Sequence, residues 1–157
     1  MKKYIIKGPT NSISGTVNIN GAKNSCLPLM AASILFKDKV ILKNVPLVKD
    51  VITMKNLLIS LGSKVEILKT NKMIIKNSKP HKRRVPYKLV STMRAGVLTM
   101  GSLLGRYQKK KIYVAKGGGC SLGIRDINYH LSGFESLSAE HRLEKGYVRI
   151  QSKNGLV

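Results

Sequence analysis

Three short stretches of the chain set cationic or nucleophilic side chains where a helix is expected to begin or run. In the first, Asn20-Gly21-Ala22-Lys23-Asn24-Ser25, Gly21 permits a tight turn, and Lys23 and Asn24 open the helix that follows. Unpaired N–H groups and the positive end of the helix dipole favour an anion there, and Lys23 adds a full charge with three donors. The plain alternative is a solvated lysine in a turn. The second is Arg94, in an apolar stretch with Met93, Val97, Leu98 and Met100. A guanidinium in such company must find a partner or reach solvent. The third is Gly117-Gly118-Gly119-Cys120-Ser121-Leu122-Gly123-Ile124-Arg125. Its glycines let the backbone approach a ligand closely, and Arg125 together with a helix start favours the thiolate of Cys120. Such a thiol can donate a proton or form a covalent adduct, although a cysteine in a glycine-rich loop is, taken alone, more often inert. Cys26, inside an apolar helix, reads as a packing residue. Lys23, Asn24, Arg94 and Arg125 together make a cationic set suited to phosphate or carboxylate, with Cys120 as the acid. That combination points to chemistry on an anionic small molecule. The three histidines and two cysteines are dispersed without ligand spacing, so no metal and no cofactor are expected.

The elements that would position these groups come twice. Val40–Lys43, Asp50-Val51, a helix ending at Leu61-Gly62 and Lys64–Ile67 recur as Ile112–Ala115, Asp126-Ile127, a helix ending at Leu137-Ser138 and Glu140–Leu143. Leu42 and Val114 are 72 positions apart, whereas Asp50 and Asp126 are 76 apart, so four residues enter the second copy within 116–123. A loop enlarged at one point of a repeat is where function is usually added. Each copy is expected to run helix, strand, helix, strand, strand. Helices are expected over 24–36, with Pro28 in its first turn, and over 87–104. Another runs from about Val48 to Leu61 with Gly62 as its C-terminal cap. Hairpins are expected around Thr70-Asn71 and Lys145-Gly146, and leading strands at Tyr4–Lys7 and Gly15–Asn20. The class is α/β with mixed sheets. Because each unit of a repeat buries its apolar face against a neighbour, apolar surface is expected to stay exposed where a further unit would pack.

The charge is extreme: 29 basic against 7 acidic residues, a net +22. That raises nucleic-acid binding as a reading. The lysines are scattered, however, and the few aromatic residues do not interleave with them as a stacking platform would. The densest clusters, Lys79–Arg84 and Lys109–Lys111, sit beside turn-like residues. Nucleic acid is therefore not the expected partner, and a basic binding protein without catalysis is the alternative reading. No apolar run is long enough to span a bilayer, and the N-terminus lacks the apolar core of a secretion signal. A cytoplasmic protein without membrane attachment is expected.

Gly8-Pro9-Thr10, Gly15-Thr16-Val17, Gly21-Ala22-Lys23-Asn24, Leu27-Pro28, Asn44-Val45-Pro46 with Asp50-Val51, Leu61-Gly62, Thr92-Met93-Arg94-Ala95, Gly118-Gly119-Cys120, Ile124-Arg125, His130, Ser132-Gly133 and Glu144–Val148 follow one another in order. In this the chain resembles the UDP-N-acetylglucosamine enolpyruvyl transferase (MurA) family from residue 1 to about residue 150. The shikimate-pathway synthase shares that fold but lacks this cysteine loop and the Ala22-Lys23-Asn24 form of the first motif. The resemblance implies transfer of the enolpyruvyl group of phosphoenolpyruvate to the 3′-hydroxyl of UDP-N-acetylglucosamine, the first committed step of peptidoglycan synthesis. It makes Cys120 the proton donor and the residue that fosfomycin alkylates. Lys23, Asn24 and Arg125 would hold phosphoenolpyruvate, and Asn24, Arg94, Arg125, Asp126, Ile127, Asn128 and Tyr129 would contact the UDP-sugar.

The resemblance also implies a fold of repeated βαβαββ units, an inside-out α/β barrel with six units in two domains. This chain would provide about two units, as an N-terminal fragment. Residues 1–22 would be strands of the second domain and 23–157 an incomplete first domain. Little activity is expected of it alone, and a separately encoded C-terminal half is a partner to look for. Three departures stand out. Gly117 replaces a proline before the Gly-Gly-Cys, and Asp126-Ile127-Asn128-Tyr129 replaces Pro-Val-Asp-Leu. Ser138 replaces a glycine at a helix end, at a cost on the order of 1 kcal/mol if that backbone is left-handed.

Overall fold

Apolar spacing draws the helices together first, and the sheets are laid outside them. The computed structural model describes residues 3–8, 12, 14–77, 81–91, 93–115 and 126–157. Helix α1 (Lys23–Ala32) continues as a 3₁₀ turn at Ser33–Leu35 and buries Cys26, Leu27, Met30 and Ala31. Pro28 lies in its second turn, later than the sequence reading placed it. The proline is exposed, and it removes the N–H that would have bonded the carbonyl of Asn24. Helix α2 (Lys49–Leu61) turns Val51, Met54, Leu57, Leu58 and Leu61 inward and ends where expected. Gly62 has φ +119° there, and its N–H closes on the carbonyls of Leu58 and Ile59.

The stretch expected to be one helix over 87–104 is broken. Helix α3 covers Tyr87–Val90, Met93 is extended, a 3₁₀ turn covers Arg94–Leu98, and helix α4 covers Thr99–Arg106. Two local features suit the break. The Ser91 hydroxyl bonds back to the carbonyl of Lys88, and Gly96 packs so closely on Val90 that a Cβ would sit 3.2 Å from its methyl.

Strands β1 (Val40–Leu42), β2 (Lys64–Ile67) and β3 (Met73–Lys76) form an antiparallel sheet in the order β1-β3-β2. The second sheet contains β4 (Arg84–Val85), β5 (Ile112–Ala115), β6 (Glu140–Glu144) and β7 (Tyr147–Gln151), in the order β4-β5-β7-β6. Helix α5 (Asn128–Ser136) precedes β6. The repeat is thus preserved in its pairing. Leu42 faces Met73 as Val114 faces Val148, and Val65 faces Ile75 as His141 faces Ile150. The turn between β6 and β7 is the two-residue Lys145-Gly146, both with positive φ, as a tight hairpin of twisted strands requires. Strand β4, which the sequence reading missed, runs parallel to β5 and makes the second copy a full βαβαββ unit. Among the described residues the first copy has no equivalent strand.

One core joins the two copies. Met30, Ile34, Met54, Leu57, Met100, Leu103, Leu104 and Ile112 are all buried in it. A polar seam fastens the same boundary. Arg106 donates to the carbonyls of Ile34 and Phe36 at 2.6 Å each and to that of Asn77 at 3.3 Å. The Asn77 amide donates to Ser33 and Phe36 carbonyls, and His81 is hydrogen-bonded among Ser63, Asn77 and Tyr107.

The expected leading strands do not form among the described residues. Tyr4–Lys7 and Gly15–Asn20 carry no ladder, and Tyr4 and Ile6 are each 91% exposed. A strand needs a neighbouring strand for its N–H and C=O groups, and among the described residues none pairs with these segments. Leu29, Ile41, Val48 and Ile59 of the first copy also stay exposed.

Candidate functional site

The start of α1 is bare. Its cap position, Ala22, offers no side-chain bond, and no acidic residue lies in the first turn. The N–H groups of Ser25 and Cys26 turn back to the Ala22 carbonyl, while those at the first positions point out of the helix end. Lys23 therefore places a cation at the positive pole of its own helix, an arrangement that disfavours itself unless an anion is near. In this structure Asp50 supplies that anion: Lys23 Nζ donates to Asp50 Oδ2 at 2.8 Å. Both side chains are partly exposed, and such a pair contributes at most about 1 kcal/mol.

Asp50 opens α2 and sits at the place in the first copy that Asp126 takes in the second. The sequence reading used Asp50 to align the repeats and missed it as the partner of Lys23. Only packing of α1 on α2 brings residues 27 positions apart together.

The junction in front of α1 is held by close approach. A Cβ on Gly21 would lie 1.9 Å from the Asn44 carbonyl oxygen, so only glycine fits. Asn44 takes a left-handed backbone, φ +53°, and its side-chain amide donates to the Ile19 carbonyl at 3.3 Å. Beside this contact lies a cavity of about 270 Å³, lined by Gly21, Ala22, Ser25, Cys26, Leu29 and the strand end from Ile41 to Val45. Cys26 is buried, as expected, and burial pushes its thiol pKa up. It is not an activated nucleophile.

Arg94 corrects the sequence reading in one respect. It sits half-buried at the first position of the 3₁₀ turn rather than inside a long apolar helix. That turn packs against α1, so the elements carrying Lys23, Asp50 and Arg94 share one helical layer. Asn24 is exposed at the same helix start.

Cys120 and Arg125 lie outside the described residues. Their stretch is bounded by Ala115, buried at the end of β5, and Asp126, which leads into α5. Asp126 lies just before the cap position, Ile127, and turns its carboxylate onto the start of the helix. Its Oδ1 accepts the N–H of Ile127 at 2.7 Å and of Asn128 at 3.2 Å, and its Oδ2 accepts the Asn128 amide. Ile127 is partly buried, while Tyr129 is 92% exposed. No group of three His, Cys, Asp or Glu residues that could hold a metal exists among the described residues. None of the helices there is long and apolar enough to cross a membrane.

What the arrangement offers is a helix start without a side-chain cap, a lysine at its head, and an arginine on a neighbouring turn, all groups suited to an anionic ligand. The chain is 41% identical over 157 residues to a UDP-N-acetylglucosamine 1-carboxyvinyltransferase of Pelagibacter ubique, covering 100% of this chain and 37% of that one. It is 42% identical over 158 residues to UDP-N-acetylglucosamine 1-carboxyvinyltransferase 1 of Staphylococcus aureus, covering 99% and 37%. The chain thus spans a little over a third of the length of these relatives. The enolpyruvyl transferase NikO of Streptomyces tendae superposes with a TM-score of 0.74 at 16% identity, over 91% of this chain and 31% of that one, a likeness of fold. The family model for EPSP synthase (3-phosphoshikimate 1-carboxyvinyltransferase) matches residues 7–155, and the chain belongs to that family.

Proposed function

We propose that this chain carries one wall of an enolpyruvyl transfer site, taking the enolpyruvyl group of phosphoenolpyruvate to the 3′-hydroxyl of UDP-N-acetylglucosamine, the step that commits the sugar to peptidoglycan. The observation that carries the reading is the start of α1, which has no side-chain cap and no acidic residue in its first turn and carries Lys23, ion-paired with Asp50 at the surface. The names of the relatives at about 41% identity support the choice of substrates. In this reading Lys23 and Arg125 bind the phosphate and carboxylate of phosphoenolpyruvate, with Asn24 at the same helix start. Arg94 and the run Arg125–Tyr129 face the UDP-sugar. Cys120 delivers a proton to the methylene carbon while the sugar oxygen bonds to the adjacent carbon and gives its own proton to a base on the opposite wall. Phosphate then leaves as the new methyl group gives up a proton, which restores the carbon–carbon double bond of the enolpyruvyl group.

The remaining length of the relatives would supply the opposite wall, either on the same polypeptide or on a separately encoded one. Residues 1–22 then belong with that second body, which accounts for the exposure of Tyr4, Ile5, Ile6, Val17 and Ile19. Catalysis of this kind needs a closed, water-free cleft. The departures at 126–129 bear on nucleotide affinity: Asp126 spends its carboxylate on the α5 backbone, and Tyr129 is free to meet a base.

Fosfomycin labelling of Cys120, read by mass spectrometry with and without UDP-N-acetylglucosamine, tests the reading. Labelling promoted by the sugar, and reduced at least tenfold by Lys23→Ala, is the expected result. Labelling indifferent to both would remove the basis for the proposal.

A further inference from the structure

The two densest basic clusters of the sequence, far apart along the chain, meet in the fold. The parallel pairing of β4 with β5 sets Arg84 beside Tyr113, and the N–H of Tyr113 bonds the Arg83 carbonyl at 2.8 Å. Arg83, Arg84, Lys109, Lys110 and Lys111 thereby line a single pocket of about 530 Å³, with Tyr113 and Gln151 completing it. That volume lies within the range of small-ligand sites, roughly 300–1,000 Å³. None of its described lining residues is acidic. Five cations drawn to one concavity repel one another, and only a multiply charged anion relieves them all at once.

The frame around these cations is fixed by bonds that do not involve their charges. Lys109 holds a left-handed backbone, φ +65°, which a lysine rarely adopts. Its N–H bonds the Ser152 carbonyl at 2.9 Å, and its carbonyl accepts the Gln151 amide at 3.0 Å. The Arg84 guanidinium lies 4.0 Å from the centre of the Tyr147 ring and 5.7 Å from that of Tyr113. Such stacking holds the planar fork that matches phosphate oxygens. Tyr113 is the one aromatic residue among the described lining residues, and the Arg84 guanidinium already lies over its ring, so little aromatic surface is left on which a nucleobase could stack. The pocket's size and its cluster of five cations suit a compact chain of phosphates better than an extended nucleic-acid strand.

Lys23, Asn24 and Arg94 are not among the described residues that line the pocket. Lys111 immediately precedes β5, while the cysteine-bearing stretch leaves the other end of the same strand, roughly 13 Å further on for four residues.

We propose that this pocket is a second anion site, one that binds a compact oligophosphate of three or more linked phosphate groups, either free or as the tail of a nucleoside triphosphate. Isothermal titration of the full chain with inorganic tripolyphosphate, ATP and orthophosphate at about 150 mM salt tests it. One tripolyphosphate per chain is expected, bound at least tenfold more tightly than orthophosphate. The exposed pair Lys110→Gln and Lys111→Gln should weaken it at least tenfold, whereas the charge-matched control pair Lys69→Gln and Lys72→Gln should change it less than twofold. Lys23→Ala should leave it unchanged, which separates this site from the transfer site. ATP binding as tightly as tripolyphosphate would assign a nucleotide tail, and much weaker ATP binding a free polyphosphate. Equal weakening by the two lysine pairs, several ions bound per chain, loss of binding in Lys23→Ala, or a single-stranded oligonucleotide that tripolyphosphate cannot displace would each overturn the proposal.

Discussion

Ser138 holds φ +62° at the end of α5, the position that Gly62 holds with φ +119° at the end of α2. A Cβ is crowded by the backbone in that region, and glycine is not. Ser138→Gly should therefore raise stability by about 0.5–1 kcal/mol, and Gly62→Ala should lower it by at least a similar amount. Urea denaturation of the two variants checks both signs. The first change is legible from sequence because the repeat aligns the two residues. Gly21 is a different case, required by proximity rather than by φ. Gly21→Ala would push the Asn44 carbonyl away from the start of α1, and faster amide exchange at Cys26 and Val45 should report it. No sequence pattern distinguishes these two needs for glycine, since closeness to residue 44 exists only in the folded chain.

Among the elements, α2 and the two hairpins were legible because their signals are local: helical apolar spacing, a terminal glycine, alternation around a short turn. The failures share a physical cause. Strand β4 is two residues within a basic run and exists only by pairing with β5, and the leading segments lack any such pairing. The helix over 87–104 broke where serine and glycine offered the backbone another partner or a closer contact. Lys23 was legible as the head of a helix, but its ion pair depended on how two helices pack.

The seam between the copies carries a pH signature of its own. Burial, with the nearby Arg106 charge adding to it, lowers the His81 pKa to about 4 from an ordinary 6.5. Native His81 is then neutral over a range in which the unfolded chain takes up its proton. This contribution to stability is complete above about pH 6.5 and is lost as pH falls toward 4, by on the order of 3 kcal/mol. Denaturant midpoints measured from pH 7 to pH 4 should fall more steeply for the parent than for His81→Asn. Parallel slopes would contradict this assignment.

For the whole molecule, the distribution of apolar surface separates what holds the fold from what does not. The helical layer and its two sheets share one buried core, whereas Tyr4, Ile5 and Ile6 stand almost fully in solvent. Replacing those three by serine should leave the melting temperature within about 2 °C of the parent, because surface changes move stability little. A drop beyond 5 °C would mean that the segment contributes to this core. Replacing Leu103 by alanine, in contrast, should cost about 2–5 kcal/mol.

The carbonyl of Phe36 accepts both the Asn77 amide and the Arg106 guanidinium, and these donors belong to parts of the chain made at different times. A ribosome adds roughly 5–20 residues per second, so the 29 positions that separate them correspond to a delay of about 1–6 s. During that interval the nascent first repeat can close only its asparagine bond. The arginine arrives afterwards as a latch, so the first copy is left half-fastened until translation of the second is under way.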